Sequence, residues 1–417
     1  MSKSHLKIFI CGSAVSLLGT VLLGIVNYLT RRFLCCSLSI ADYGTFYSAF
    51  ALLAMVFGIC DLGLTQSGTM LIAAAGDDRK RRDGLFTCLF LFKGGSGLLC
   101  AAGITGYFQL RPDGLPLWFW GMFSGYFVCQ TLNGTLQALW GGQKKYALQQ
   151  FAYLFIACST CLLVWRSNQL TLHKSVLFFL LPAAAALLLG VIYSRIAGHG
   201  SLQKKVEKNL ACELCSTGGL VAIITTLLTV MYYMDTVMLN IQRGAESAGL
   251  YNIALPIMQI VQSAMVFPAV FLPIAVDMCK QREYRRLTVF VRTAVLLAMA
   301  ALVPAWGFFH FCGRWLIEIL FDSKYVQAAP AVTILCVGLI FFTLGNFLFQ
   351  IMLSLKRIKV MAVIAVITAV CNLLLNYFLI KFWDFCGAAW ATLISYLFFA
   401  GATCIALEYN LNRMRKL

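Results

Sequence analysis

Six of the ionisable residues that stand inside, or at the ends of, long apolar runs bear most on the chemistry open to this chain. Lys93 falls about nine residues into its run, roughly 13 Å along a helix at 1.5 Å per residue. An ammonium that deep cannot easily snorkel to water, so it either lines a polar cavity or makes a structural pair. Asp235 lies about six residues from the far end of a later run, in Tyr232-Tyr233-Met234-Asp235-Thr236, and suits cavity lining, cation coupling or a helix–helix hydrogen bond. Asp61 precedes Leu62-Gly63-Leu64, where capping at a kink or a structural contact competes with ion coupling. Arg292 can snorkel or turn into a cavity. Arg31 and Arg32 close the first run, either as interfacial anchors or as an anion clamp, because guanidinium binds phosphate bidentately. A charge at bilayer depth costs at least about 2.5–3.5 kcal/mol, so such residues usually face a cavity or a partner. Arg31, Arg32, Lys93 and Arg292 are therefore the substrate and cavity candidates. Asp235 and Asp61 are the ion-coupling candidates.

The elements that carry these residues must be membrane helices. Of the 417 residues 61% are hydrophobic and only 12% charged, and the mean hydropathy is +0.83. A soluble domain is about half apolar and a quarter charged, so lipid must cover this chain. The net charge of +17 would suggest nucleic acid in a soluble protein. Here it reflects loop lysines and arginines facing anionic headgroups, and no nucleic-acid partner is expected. No Walker loop, GxGxxG, HExxH or nucleophile elbow appears in a credible context, so neither a cofactor nor an enzyme activity is expected. Gly94-Gly95-Ser96-Gly97 lies inside an apolar run and reads as close helix packing. The 17 cysteines are mostly scattered through apolar sequence as small hydrophobes, and no metal site is expected.

About twelve runs reach the length of a spanning helix. They cover 8–30, 43–75, 84–108, 116–140, 147–165, 173–194, 211–240, 249–278, 288–311, 327–354, 360–380 and 386–408. The second is too long for one straight span, and the Gly63 to Gly68 region is where it would loosen. The first run lacks a small-residue cleavage site, so no cleavable leader is expected. Lysine and arginine concentrate in alternate loops, as in Arg79 to Arg82, which places both termini in the cytoplasm. The basic stretch 195–210 falls midway and divides the chain into six-helix lobes at 1–194 and 211–417. Pro256, Pro268 and Pro273 in the eighth run and Pro304 in the ninth bend their helices, for shape or to line a cavity. Ala41-Asp42-Tyr43-Gly44-Thr45-Phe46 is echoed by Ala248-Gly249-Leu250-Tyr251. With Gly44 over Gly249, Phe46 meets Tyr251 and Ala49 meets Ala254, the mark of a repeated half. The first half then carries Arg31-Arg32 before its glycine where the second carries Asp235 and Arg243, an asymmetry suited to orienting an anion.

Four stretches resemble one family in its order and spacing. They are Asp42-Tyr43-Gly44-Thr45-Phe46 with Asp61-Leu62-Gly63-Leu64; Asp235-Thr236-Val237-Met238-Leu239 with Ala248-Gly249-Leu250-Tyr251; Phe321-Asp322-Ser323-Lys324-Tyr325 leading to Pro330; and Asn372 to Ile380 with Cys386-Gly387-Ala388-Ala389 and Thr392. The chain resembles the polysaccharide-export (Wzx-type, O-antigen) flippases of the multidrug/oligosaccharidyl-lipid/polysaccharide exporter superfamily. That resemblance implies an all-α polytopic membrane protein, with two six-helix lobes related by a pseudo-two-fold axis around a central cavity. It implies export of a polyprenyl-pyrophosphate-linked oligosaccharide across the cell inner membrane by alternating access. The implied partners are that lipid-linked oligosaccharide, membrane lipid, a coupling proton or sodium ion, and a glycan polymerase or ligase. Lys93, Arg31 and Arg292 fit the family's cationic cavities by residue type. The two extra helices of lipid II flippases are missing, which argues against that branch. A cation-coupled multidrug antiporter of the same superfamily is the alternative, although a buried lysine in the first half disfavours organic cations. A glycan polymerase or ligase would need a large outer loop, and the outer loops here are short.

Overall fold

The computed structural model describes residues 3–414 except 62, 77, 111–113, 168, 199, 201, 204–207, 265–273, 280 and 356. Among these residues the structure is helical and contains no strand. Helices α1 (Lys3–Ser37), α2 (Ile40–Asp61), α3 (Leu64–Ala75), α4 (Arg79–Leu110), α5 (Leu117–Gly142), α6 (Tyr146–Arg166) and α7 (Leu172–Ile196) come first. Then follow α8 (Lys208–Arg243), α9 (Ala245–Ala264), α10 (Tyr284–Leu320), α11 (Ala329–Ser354) and α12 (Ile358–Met414). A short 3-10 turn, Ser323–Ala328, precedes α11. Apart from Gly63 and Pro116, each apolar run of the sequence falls on helix wherever it is described, and among the described residues seven helical segments are long and apolar enough to cross a membrane.

The run 43–75 is two helices. α2 stops at Asp61, Gly63 takes the left-handed conformation (φ 69°), and α3 starts at Leu64. A side chain at Gly63 would disfavour that backbone, which is why the break falls here. Runs eleven and twelve are continuous α12 except at Trp383 and Asp384, where the helix is interrupted (Asp384 φ 52°) and two arms meet. α9 and α10 continue through Pro256 and Pro304. Pro268 and Pro273 lie outside the described residues.

The chain forms two compact units, one of Met1–Leu38 with Leu52–Thr226 and one of Ser39–Ala51 with Leu227–Leu417. In the first, α5 is central, packing on α3, α4 and α7, while α1 packs on α6. Its core joins Leu71, Leu85, Leu89, Leu136, Leu139 and Trp140. The start of α8 is fastened to this unit: Leu210 and Leu214 enter that core, and Arg81 pairs with Glu213 at 2.6 Å. In the stretch before it, the Gln203 amide N–H donates to Thr87 Oγ1 at 2.9 Å and the side-chain amide donates to the Lys80 carbonyl at 2.8 Å. Burial, with the Arg82 guanidinium nearby, lowers the Lys145 ammonium below the usual lysine value.

In the second unit α11 packs on α9, α10 and α12 and is the most buried of the candidate spans. The N-terminal turns of α2 and α9 also meet here. Ser39 caps α2: its Oγ accepts the Asp42 N–H at 3.0 Å and donates to the Asp42 carboxylate at 2.7 Å. Gly44 and Gly249 each lie one turn into their helices, and the two face one another across the contact. The matched positions Phe46 and Tyr251, and Ala49 and Ala254, are all buried. The echo seen in the sequence is thus two equivalent helix starts packed together.

Candidate functional site

Lys93 and Asp61 come together. The Lys93 side chain is 3% exposed and its Nζ lies 2.7 Å from Asp61 Oδ1. It also donates to Thr65 Oγ1 at 2.6 Å. The Thr65 hydroxyl donates to the same Asp61 oxygen at 2.8 Å, and the Thr65 amide reaches Asp61 Oδ2 at 3.4 Å. The break at Gly63 makes this possible, because it turns the end of α2 so that Asp61 faces the first turn of α3. Gly134 of α5 leaves room for the lysine: a Cβ there would stand 2.9 Å from Nζ. α4 begins at Arg79, so the ammonium lies about 21 Å along its helix. Asp61, Thr65 and Thr69 are half-buried and Gln66 is exposed, while Gly134 and Gly141 face Thr65 and Thr69 from α5. The Thr69 hydroxyl donates to the Thr65 carbonyl at 2.8 Å, so these residues form a polar seam along α3 whose exposed member is Gln66.

Asp235 is the centre of a second constellation, within the second unit. It is 3% exposed. Its Oδ2 accepts the Tyr251 hydroxyl at 2.6 Å and the Thr392 hydroxyl, and its Oδ1 accepts the Asn376 amide at 2.7 Å. Asn376 is in turn held to the Asn372 carbonyl (3.0 Å) and side-chain oxygen (3.2 Å). One carboxylate on α8 therefore ties α9 and both arms of α12. Its partners are neutral, and among the described residues it makes no ion pair. A carboxylate beside two amide side chains and two hydroxyls offers hard oxygen ligands, the type that holds a proton or a small monovalent cation. No group of three His, Cys, Asp or Glu able to hold a metal occurs among the described residues.

The kink in α12 is braced by the same region. Arg243 donates to the carbonyls of Ile380 (3.1 Å) and Lys381, capping the first arm. Ser247 donates to Asp384 at 2.9 Å. Arg243 is thus engaged by backbone carbonyls at a helix end.

Arg31 and Arg32 are half-buried near the end of α1, with the Arg32 carbonyl accepting the Cys35 thiol at 3.1 Å. Arg292 belongs to the second unit. Its side chain is 65% exposed and pairs with Glu408 at 2.9 Å, bridging α10 and the last turns of α12. Exposed pairs contribute about 0–1 kcal/mol. Arg292→Gln is expected to keep the thermal midpoint of the detergent-solubilised protein and its transport within about twofold of wild type. A tenfold loss of transport in reconstituted vesicles would return Arg292 to the cavity.

The ionisable residues were legible from the sequence, but their partners were not identified as site residues. Thr65, Gly134, Tyr251, Asn372, Asn376 and Thr392 were missed. A signal was present for four of them: Tyr251, Asn372, Asn376 and Thr392 fall in the stretches that carry the family resemblance, and Asn372 and Asn376, four apart in apolar sequence, share one helix face.

This helical fold is shared with several solved structures. The structure is similar to an inward-facing MATE-family multidrug resistance transporter of the MOP superfamily, with a TM-score of 0.77 and 10% identity over 94% of this chain and 96% of that one. It is similar to the lipid II flippase MurJ in an inward closed conformation (TM-score 0.75, 12% identity, 97% and 90% covered). A MOP-superfamily transporter from Pyrococcus furiosus, described as having a binding pocket of reverse polarity, gives 0.67 at 11% identity, with 99% and 97% covered. These likenesses show the fold, an all-α multi-pass membrane protein. An uncharacterized membrane protein of Methanocaldococcus jannaschii is 27% identical over 227 residues, 52% of this chain and 45% of that protein, so the match spans about half the length of the relative. Residues 10–278 match the family described as polysaccharide biosynthesis protein, and the chain belongs to that family.

Proposed function

We propose that this protein is a flippase that carries a polyprenyl-pyrophosphate-linked oligosaccharide across the cytoplasmic membrane by alternating access, for the synthesis of a surface polysaccharide of the O-antigen or lipopolysaccharide kind. The single observation that carries the reading is Lys93, a cation buried at bilayer depth behind a polar seam, in a chain of the polysaccharide biosynthesis family. An ammonium there attracts a phosphate and repels an organic cation, which favours the anionic lipid-linked substrate over the multidrug alternative. Arg31 and Arg32 would hold the same charge at the outer mouth, and Asp235 with its oxygen ligands would take up the coupling proton or sodium ion. The lobes are 1–194 and 211–417, joined by 195–210, with both termini in the cytoplasm; glycan polymerases or ligases would receive the product. A lipid II flippase of the same fold supports a lipid-linked substrate for this protein.

The test is deletion of the gene in its own host, with the sidedness of the lipid-linked glycan measured. Accumulation on the cytoplasmic leaflet, restored to the outer leaflet by the wild-type gene, is expected. Normal surface glycan in the deletion strain would sink the proposal.

A further inference from the structure

Lys93 is covered by an anion that belongs to the protein itself. Lys93 Nζ, Thr65 Oγ1 and the Thr65 amide converge on the Asp61 carboxylate, at 2.7, 2.8 and 3.4 Å. Three donors around one carboxylate form a small anion site, in which the Lys93 side chain is buried and Thr65 half-buried. The exposures are unequal: 3% for the Lys93 side chain, 26% for Asp61. Asp61 therefore stands between the lysine and the seam formed with Thr65, Gln66 and Thr69. It ends α2 just before the left-handed Gly63, so a small change at that break would swing the carboxylate aside without moving α4.

We infer that Asp61 is an exchangeable resident counter-ion, and that the Lys93–Thr65 pair beneath it is the subsite that receives the phosphate of an anionic substrate. This rests on the flippase reading above and adds what that reading leaves open, namely how one carrier tolerates a buried ammonium in both loaded and empty states. Left alone, Lys93 would be an unpaired charge at bilayer depth, which is strongly disfavoured. With Asp61 in place the empty site is neutral and the carrier can return. With phosphate bound, the substrate takes over the ammonium and the Thr65 hydroxyl, and Asp61 turns to the water of the seam. Asp61 thus competes with the substrate and keeps its affinity low enough for release.

The test uses the full-length protein in detergent, with farnesyl pyrophosphate as the probe and inorganic pyrophosphate as the arm without a prenyl tail. Asp61→Asn is expected to bind farnesyl pyrophosphate about tenfold more tightly than wild type, since the competing charged contact is gone. Lys93→Met is expected to bind at least about tenfold more weakly, and Asp61→Asn/Lys93→Met no better than Lys93→Met. Inorganic pyrophosphate should follow the same order if the subsite reads phosphate alone. A difference between the two probes would place the prenyl tail in the site without altering the order among variants. An infrared difference spectrum of the wild type gives a second readout if Asp61→Asn does not fold: the probe should perturb a carboxylate stretch in wild type and not in Lys93→Met. Equal or weaker binding by folded Asp61→Asn, with wild type binding and Lys93→Met impaired, overturns the exchange and leaves the flippase reading standing. An unperturbed carboxylate band in wild type with probe bound also overturns the exchange. Absence of binding in every form overturns both.

Discussion

Asp235→Asn is expected to leave the protein folded and to reduce transport below about a tenth of wild type, whereas Asp235→Ala is expected to lose both fold and transport. The difference follows from the donors around the carboxylate. Asparagine keeps the shape and one oxygen, so the Asn376 amide retains an acceptor. The hydroxyls of Tyr251 and Thr392 can rotate to accept from the new amide, because a hydroxyl is both donor and acceptor. The network survives with its charge removed. Alanine instead leaves three buried donors without an acceptor, at about 1–3 kcal/mol each, and α8, α9 and both arms of α12 lose their common tie. Scanning fluorimetry should place Asp235→Asn within a few degrees of wild type and Asp235→Ala far below it. Flipping of a fluorescent prenyl-pyrophosphate glycan in vesicles, with and without a proton or sodium gradient, supplies the second axis. If Asp235→Asn transports at the wild-type rate and keeps its response to the gradient, Asp235 is a helix–helix bond and not the ion-coupling residue.

Much of the fold was legible because hydropathy dictates it. A chain this apolar has to satisfy its backbone inside lipid, and helices about 20 residues long do so within each segment. The breaks were harder. The run 43–75 announced by its length that it was not one span, and Gly63 was the residue able to turn it. The gap between the runs 360–380 and 386–408 held Trp383 and Asp384, where the two arms of α12 meet, but hydropathy did not show that both arms belong to one helix with a kink. The site was legible in half. An ionisable residue in an apolar run is conspicuous by its solvation cost, so Lys93, Asp61 and Asp235 stood out. Their partners cost little to bury when hydrogen-bonded, so Thr65, Thr392 and Tyr251 look like ordinary helix residues until the fold brings them within 3 Å. Lys93 and Asp61 were assigned to opposite tasks, substrate binding and ion coupling. Only the three-dimensional structure shows that the two residues form one ion pair. Arg292 shows the converse: its residue type suggested a cavity, while its surroundings give it an exposed partner, Glu408.

Gly44→Ala is expected to destabilise the protein by about 3 kcal/mol, far more than alanine at most other glycines of the chain. A Cβ at Gly44 would stand 1.7 Å from the Ala245 carbonyl oxygen and 2.8 Å from the Gly249 amide nitrogen. One at Gly249 would stand 2.4 Å from the Ile40 carbonyl oxygen. These obstacles are backbone atoms in two helix first turns, so no side chain can rotate away and a helix itself must shift. At Gly24, Gly103 and Gly106 a Cβ meets nothing within 4 Å, and alanine there should match wild type or gain up to about 1 kcal/mol from helix propensity. The two glycines share one contact, so Gly44→Ala/Gly249→Ala should cost clearly less than the sum of the single changes: once the helices have moved apart for one methyl, the second has room. Strict additivity would mean that the two positions act independently, and a Gly44→Ala protein melting with the Gly103→Ala control would mean that α2 and α9 do not meet at this pair. The consequence for transport follows from the chain's own division, because Ser39–Ala51 belongs to the second unit while the rest of α2 belongs to the first. The glycine pair is what lets that half-helix approach α9 closely. A methyl placed there should therefore slow transport even in the fraction of protein that remains folded, and the same vesicle assay applied to the folded fraction measures it.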